Sequence, residues 1–479
     1  MTSEGPSVER LREYLRSLKP AARAMLIAEL ERGVLRGDDA AGNDFVLDEL
    51  RRSLGSTLQP EPHDGEAVRL FFRPLEPFVV DCSADHKRIG RLGRAALQPM
   101  WQWLSRELMP REATAFAADI ERALQAGDRG NADQIVRALQ DRAVQHMRAA
   151  LASIGTDDKA QRRFIVQVGT PHAAADVATV IANLENRDII ADLALRLPPT
   201  IRAFEREQIV SVKAQLDSAV NSKSLDGAPT RKADILRSGL LLVMTRLTAP
   251  WQLIRIASRA ADSDDAARIA ETPYALAVSI VLGEMEQMVG ELRAEFKARR
   301  PITSLVKGLH DAVRGLRTEL DLSVESPWSR QVVAIRSAVS DLLKPEIDGT
   351  PGRVRRLLRL RAGKEIAPGA LLDAIDVDEA EAGVEFLRAC RHYAAELALS
   401  EVTLRAFSDL TQYLETQSKV LLDSLRHAED FERPFRQSQL GAAIRFCRTV
   451  FGGEYAGLLS KAADVAAQAA APDRKSARA

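Results

Sequence analysis

Along almost the whole chain, apolar residues recur at i, i+3, i+4 and i+7, the spacing that lays one hydrophobic stripe along an α-helix. No set of alternating runs joined by hairpin turns accompanies it, so the pattern predicts an all-α, multi-helix protein built from helical hairpins and bundles. Short, closely spaced segments between Leu151 and Phe204 have the rhythm of stacked helical pairs. They show no fixed repeat period, so a partly α-solenoid-like arrangement stands as an alternative to the bundle there.

The same pattern divides the chain. Leu11, Leu15 and Leu18 stripe a first helix, Pro20 restarts the chain at an N1-like position, and Met25, Leu26, Leu30 and Val34 stripe a second. With a third helix from about Asp44 to Leu54, they make an N-terminal unit over 1–54. Pro60, Pro62 and Gly65 mark a linker. A helical domain is expected over 67–220, entered through an extended arm at Arg69–Phe78. There Pro74 and Pro77 bias their predecessors away from α, and Phe71, Phe72 and Phe78 supply apolar surface for docking onto a core. Pro99 is expected to kink or break the helix that follows. Asp226-Gly227-Ala228-Pro229 marks a second linker, after which a C-terminal helical domain spans 230–470, with a break at Pro345–Gly352 and a disordered tail at 471–479.

Composition removes partners more than it suggests them. Lys+Arg equals Asp+Glu at 67 each over 479 residues, so no global attraction to nucleic acid or an anionic membrane is implied. The apolar stretches Gly239–Thr245 and Tyr274–Gly283 fall short of the roughly 20 residues that cross a bilayer and read as core helices. Cys82, Cys390 and Cys447 are too few and too scattered for a disulfide framework, and no leader pattern is visible before Val8, so a reducing, cytoplasmic location is expected. No G-x-G-x-x-G, G-x-x-x-x-G-K-[ST], G-x-S-x-G or H-E-x-x-H motif occurs, and none of the seven histidines follows a glutamate by three residues. Those absences lower the expectation of an enzyme, and no cofactor or metal is expected.

Four constellations remain. In Asp81-Cys82-Ser83-Ala84-Asp85-His86, a helical Cys82 and His86 would share a face as an activated thiol, or Ser83 or Asp85 would simply cap a helix over a small buried Cys82. Lys87, Arg91 and Arg94, with Arg88 beside them, would share the face of a helix starting near Lys87. They make an anion-binding candidate there, unless Asp81 and Asp85 neutralise them. Arg355, Arg356 and Arg359 share a helical face opposite Val354, Leu357 and Leu358, either presented to an acidic protein, nucleic acid or lipid surface, or merely solvated. Trp103 is turned about 200° from Trp101, and is either an interface anchor or buried by a second layer. Together these point to a non-enzymatic, cytoplasmic adaptor or scaffold that binds another macromolecule, most simply a protein. A homo-oligomer is left open. The alternative is an enzyme or regulator binding an anionic small molecule at Asp81–Arg94.

Overall fold

The computed structural model of the protein describes residues 64–81, 89–154, 157–222, 228–298, 300 and 302–468, together with Tyr14, Leu15, Leu26, Leu30 and Val46. The expected N-terminal unit at 1–54, apart from those five residues, and the tail at 471–479 lie outside the described residues. The architecture is all-α: among the described residues there are eighteen α-helices and two strands of two residues each. By its contacts the chain forms two compact units, residues 1–290 with 315–326, and residues 291–314 with 327–479.

Unit 1 contains α1 (Asp64–Phe72), a 3-10 turn (Arg73–Phe78), β1 (Val79–Val80), β2 (Leu92–Gly93), α2 (Arg94–Trp103) and a π turn (Leu104–Leu108). There follow α3 (Pro110–Gln125), α4 (Arg129–Ile154), α5 (Asp158–Val168), α6 (Pro171–Glu185), α7 (Arg187–Arg196), α8 (Arg206–Val220), α9 (Pro229–Arg246), α10 (Ile254–Ala261) and α11 (Ala266–Ala270). The next two helices, α12 (Ala275–Lys297) and α13 (Thr303–Glu319), each contribute residues to both units. Unit 2 is completed by α14 (Pro327–Leu358), α15 (Ala374–Tyr393), α16 (Ser400–Arg426), α17 (Arg433–Phe451) and α18 (Gly453–Gln468).

Helix starts follow local chemistry. Pro110, Pro171 and Pro229 sit in first turns, where a missing N–H costs nothing. Asp157 accepts from the Lys159 N–H at 3.0 Å and Thr170 from the Ala173 N–H at 3.1 Å, caps of the kind worth about 1 kcal/mol each. Asp373 does the same for α15 through the Ile375 N–H at 2.9 Å.

Tertiary packing overrules three local expectations. The segment 69–78 is not extended: it is the end of α1 and a 3-10 turn, because the fixed φ of Pro74 and Pro77 suits that turn as well as a strand. Phe71, Phe72 and Phe78 are all buried, and Gln140 Nε2 donates to the Phe71 carbonyl at 2.8 Å. Pro345 and Pro351 do not break α14, which runs unbroken through both. Its inward stripe of Val339, Leu343, Ile347, Pro351, Val354 and Leu358 is buried. Burial of such side chains, about 1.5–3 kcal/mol each, outweighs about 3 kcal/mol per interior proline. Pro99 likewise lies inside α2, which passes after Trp103 into the π turn, closed by the Met109 N–H donating to the Leu104 carbonyl at 2.9 Å.

In unit 2, α14 packs on α15 and α16, α16 on α17, and α17 on α18. Gly383 lets α15 approach α14 closely: a Cβ there would lie 3.1 Å from Arg353 Nη2 and 3.2 Å from Thr350 Oγ1. Cys390 and Cys447 are free and buried in this unit; burial pushes their thiols up to about 12 and about 11, so they act as small apolar fillers.

Candidate functional site

The first basic candidate resolves into internal ion pairs. Cys82, Asp85, His86, Lys87 and Arg88 lie outside the described residues. Among the rest, α2 begins at Arg94 rather than near Lys87, so Arg91 and Arg94 do not share a helical face. The cause is local: Gly90 has φ +68°, and the chain then runs extended to pair β2 with β1, Val79 opposite Leu92 and Val80 opposite Gly93. Arg91 is only 9 % exposed and meets Glu284 Oε2 and the Pro77 carbonyl, both at 3.3 Å, while its Nε finds no partner. Arg94 binds Asp81 Oδ1 at 2.6 Å and the Glu76 carboxylate at 3.2 and 3.3 Å. Burial pulls the Arg94 guanidinium down, but Glu76 and Asp81 carry it above its ordinary value. Just before α2, the Gly93 N–H donates to Asp176 Oδ2 at 3.2 Å. Carboxylates of the chain itself therefore stand where a bound anion was expected.

Arg355, Arg356 and Arg359 are exposed, but α14 ends at Leu358, so Arg359 leaves the helical face it was assigned. The helix stops because side chains from α16 and α17 take its last carbonyls: Gln417 Nε2 donates to Leu358 at 2.7 Å, and Gln439 Nε2 to Leu357 and Arg359 at 3.1 and 3.0 Å. Arg355 lies 3.9 Å from Asp409 and over the Tyr413 ring at 5.6 Å. Arg355 and Arg356 sit in the final turn of α14, where cations complement the helix dipole. Trp103 is buried, edge-on to Phe164 at 5.4 Å, while Trp101 packs on Phe71 at 5.4 Å. Two aromatic layers thus cover α2 from both sides, and the indole of Trp103 presents no surface to a partner.

A different cluster has the features of a binding site. In unit 2, Arg388, Arg391 and His392 of α15, Phe407 of α16 and Val450 of α17 line a groove of about 470 Å³. Arg391 stacks its guanidinium over the Phe407 ring at 4.2 Å. That contact fixes the plane of the fork and leaves its N–H edges available. Among the described residues, neither Arg388 nor Arg391 has a carboxylate within ion-pair reach. The turn joining α15 to α16 is held rigid behind them. It places Ala398 at φ +57°, and α14 pins it through Arg336 Nε and Nη2, which donate to the Glu396 and Ala395 carbonyls at 2.6 and 3.2 Å, and through Ser340 Oγ, which donates to the Ala398 carbonyl at 3.1 Å. Tyr393 stacks on His310 at 5.1 Å, bracing the last turn of α15.

This groove is not among the candidates that the sequence offers. A signal was present: Arg388-Ala-Cys-Arg391-His392 sets two guanidiniums at i, i+3, and Arg391 has no acidic residue three or four positions away on either side. What no local pattern carries is the meeting with Phe407 and Val450, which come from two other helices.

Among the described residues, no group of three or more His, Cys, Asp or Glu side chains is arranged to hold a metal ion, and no single helix is long and apolar enough to cross a membrane. Comparison with protein-family models, with curated proteins and with solved structures finds no match.

Proposed function

We propose that the protein is a non-enzymatic, cytoplasmic helical adaptor that binds another macromolecule, and that the groove of unit 2 is where it does so. The observation that carries this reading is the pair of guanidiniums, Arg388 and Arg391, exposed on one groove with no ion pair to a carboxylate among the described residues. Its lining brings two guanidiniums, an imidazole and apolar surface, groups that bind and orient an anionic partner. Among the described residues that line it, none carries a thiol, hydroxyl or carboxylate to act as a nucleophile or carboxylate base. The reducing compartment is proposed because three cysteines in 479 residues are too few and too scattered for a disulfide framework.

A second reading has one observation in its favour. The groove volume, about 470 Å³, falls within the range of about 300–1,000 Å³ typical of small-molecule sites, so an anionic metabolite also fits by size. Native mass spectrometry of the full chain, purified gently from its own host, separates the two. The wild type is expected to retain a stoichiometric macromolecular partner that an Arg388→Glu/Arg391→Glu variant loses. A small anionic adduct lost in the variant moves the assignment to the second reading, and a bare chain or homo-oligomer in both samples overturns the adaptor.

A further inference from the structure

We infer that the groove formed by Arg388, Arg391, His392, Phe407 and Val450 takes an acidic linear peptide segment of a partner protein, its carboxylate clamped by the two guanidiniums and an adjacent apolar side chain laid against Phe407 and Val450. The inference rests on the adaptor reading and names its partner chemistry.

Charge comes first. With its face on Phe407 at 4.2 Å, Arg391 is left with in-plane N–H donors, and a planar two-oxygen acceptor matches that edge better than a point charge does. Arg388, one turn earlier on α15, adds a second fork on the same groove, and His392 adds a ring nitrogen. Holding Arg391 against a ring in advance reduces the side-chain ordering that binding otherwise demands.

Size and surroundings then select among anionic macromolecules. The groove has room for a few side chains, whereas a pair of folded domains meets over about 800 Å² per partner, so an extended segment fits better than a second globular surface. Nucleic acid needs a track of cations, often 6–10 phosphate contacts, and here only two guanidiniums line the groove. Carboxylates also flank it on α15: Glu385 is exposed one turn before Arg388, and Asp378 and Glu381 hold Arg445 of α17. Asp378 and Glu381 are thus neutralised, while Glu385 repels a continuous phosphate backbone but leaves a short segment free to place one or two charges. Leu404, 68 % exposed and one turn before Phe407 on α16, prolongs the apolar side of the site.

The test pans a display library of random dodecapeptides on the full chain. Selected peptides are then synthesised and titrated against wild type, Arg391→Glu and Arg388→Gln, with a 20-nucleotide oligo(dT) as a competing probe. Circular dichroism and the unfolding midpoint confirm that each variant is folded. Enriched peptides are expected to place Asp or Glu beside Leu, Ile or an aromatic residue. They should bind Arg391→Glu at least tenfold more weakly and Arg388→Gln several-fold more weakly. A neutral or basic pool, no enrichment, or equal affinity for both variants overturns the inference. Oligo(dT) binding that both variants lose, with no peptide selected, overturns the peptide and leaves the adaptor standing. A bare chain in the native mass spectra removes the adaptor itself.

Discussion

Two arginine pairs of similar sequence context meet opposite fates in this molecule. Arg91 and Arg94 of unit 1 are held by Glu284, Glu76 and Asp81, and a peptide N–H beside them is taken by Asp176. Among the described residues, Arg388 and Arg391 of unit 2 form no ion pair with a carboxylate, and one of them rests on a phenyl ring instead. Burial accounts for Arg91, which is 9 % exposed, whereas Arg94 is 43 % exposed and owes its pairs to Glu76 and Asp81 standing within reach. A guanidinium taken out of water must be matched by charge and hydrogen bonds, so a buried arginine requires nearby carboxylates, whereas one at the rim of an open groove is matched by solvent until a partner arrives. Unneutralised cations on a shaped surface are therefore better pointers to binding than cations that are dense in sequence. The cluster Arg355, Arg356 and Arg359 falls between: loosely paired, at the end of a helix whose dipole already favours it.

The strongest challenge to this contrast is Arg91→Met, which keeps apolar bulk and strands Glu284. It should lower the unfolding free energy by about 2–3 kcal/mol, read from the urea midpoint at unchanged slope. Wild-type stability in that variant would mean that the buried pair is not needed. A smaller loss, about 1–2 kcal/mol, is expected from Gly90→Ala: the residue has φ +68° and its Cβ would stand 2.8 Å from both Arg237 Cδ and Leu241 Cδ1, side-chain atoms that can yield. Least of all should change with Arg391→Ala, within about 1 kcal/mol by the same titration, because the side chain is exposed and gives up only its contact with the Phe407 ring. A cost as large as that of Arg91→Met would turn the groove arginine into a structural residue and erase the contrast.

How far the sequence discloses this arrangement differs by level. Helical class is legible because the 3.6-residue period is a local signal repeated many times, and α3 to α7 and α15 to α17 fall within the helical domains expected over 67–220 and 230–470. Proline signals mislead where packing outweighs them, as at Pro345 and Pro351, whose helix keeps its buried face. The basic stretch before α2 misleads for another reason: a positive-φ glycine and a two-residue parallel pairing shift the helix start to Arg94, and neither leaves a pattern in a single sequence. Arg391 was marked by its lack of an acidic helical neighbour. Its ring partner Phe407 was not, since contacts between helices are fixed by tertiary packing.

The route of the chain between the units has a consequence for how the molecule is made. Each unit is assembled from two separate stretches, with 291–314 belonging to unit 2 and 315–326 returning to unit 1. Translation at about 5–20 residues per second adds 291–326 over about 2–7 s. During that interval the nascent unit 1 lacks Glu319, the partner of Arg255 at 2.7 Å, and Asp321, whose backbone pairs with Asp264 and Ala266 at 2.9 and 3.1 Å. Unit 1 therefore closes only after the ribosome has passed the segment that interrupts it, and its maturation is timed by synthesis of residues that belong to its neighbour.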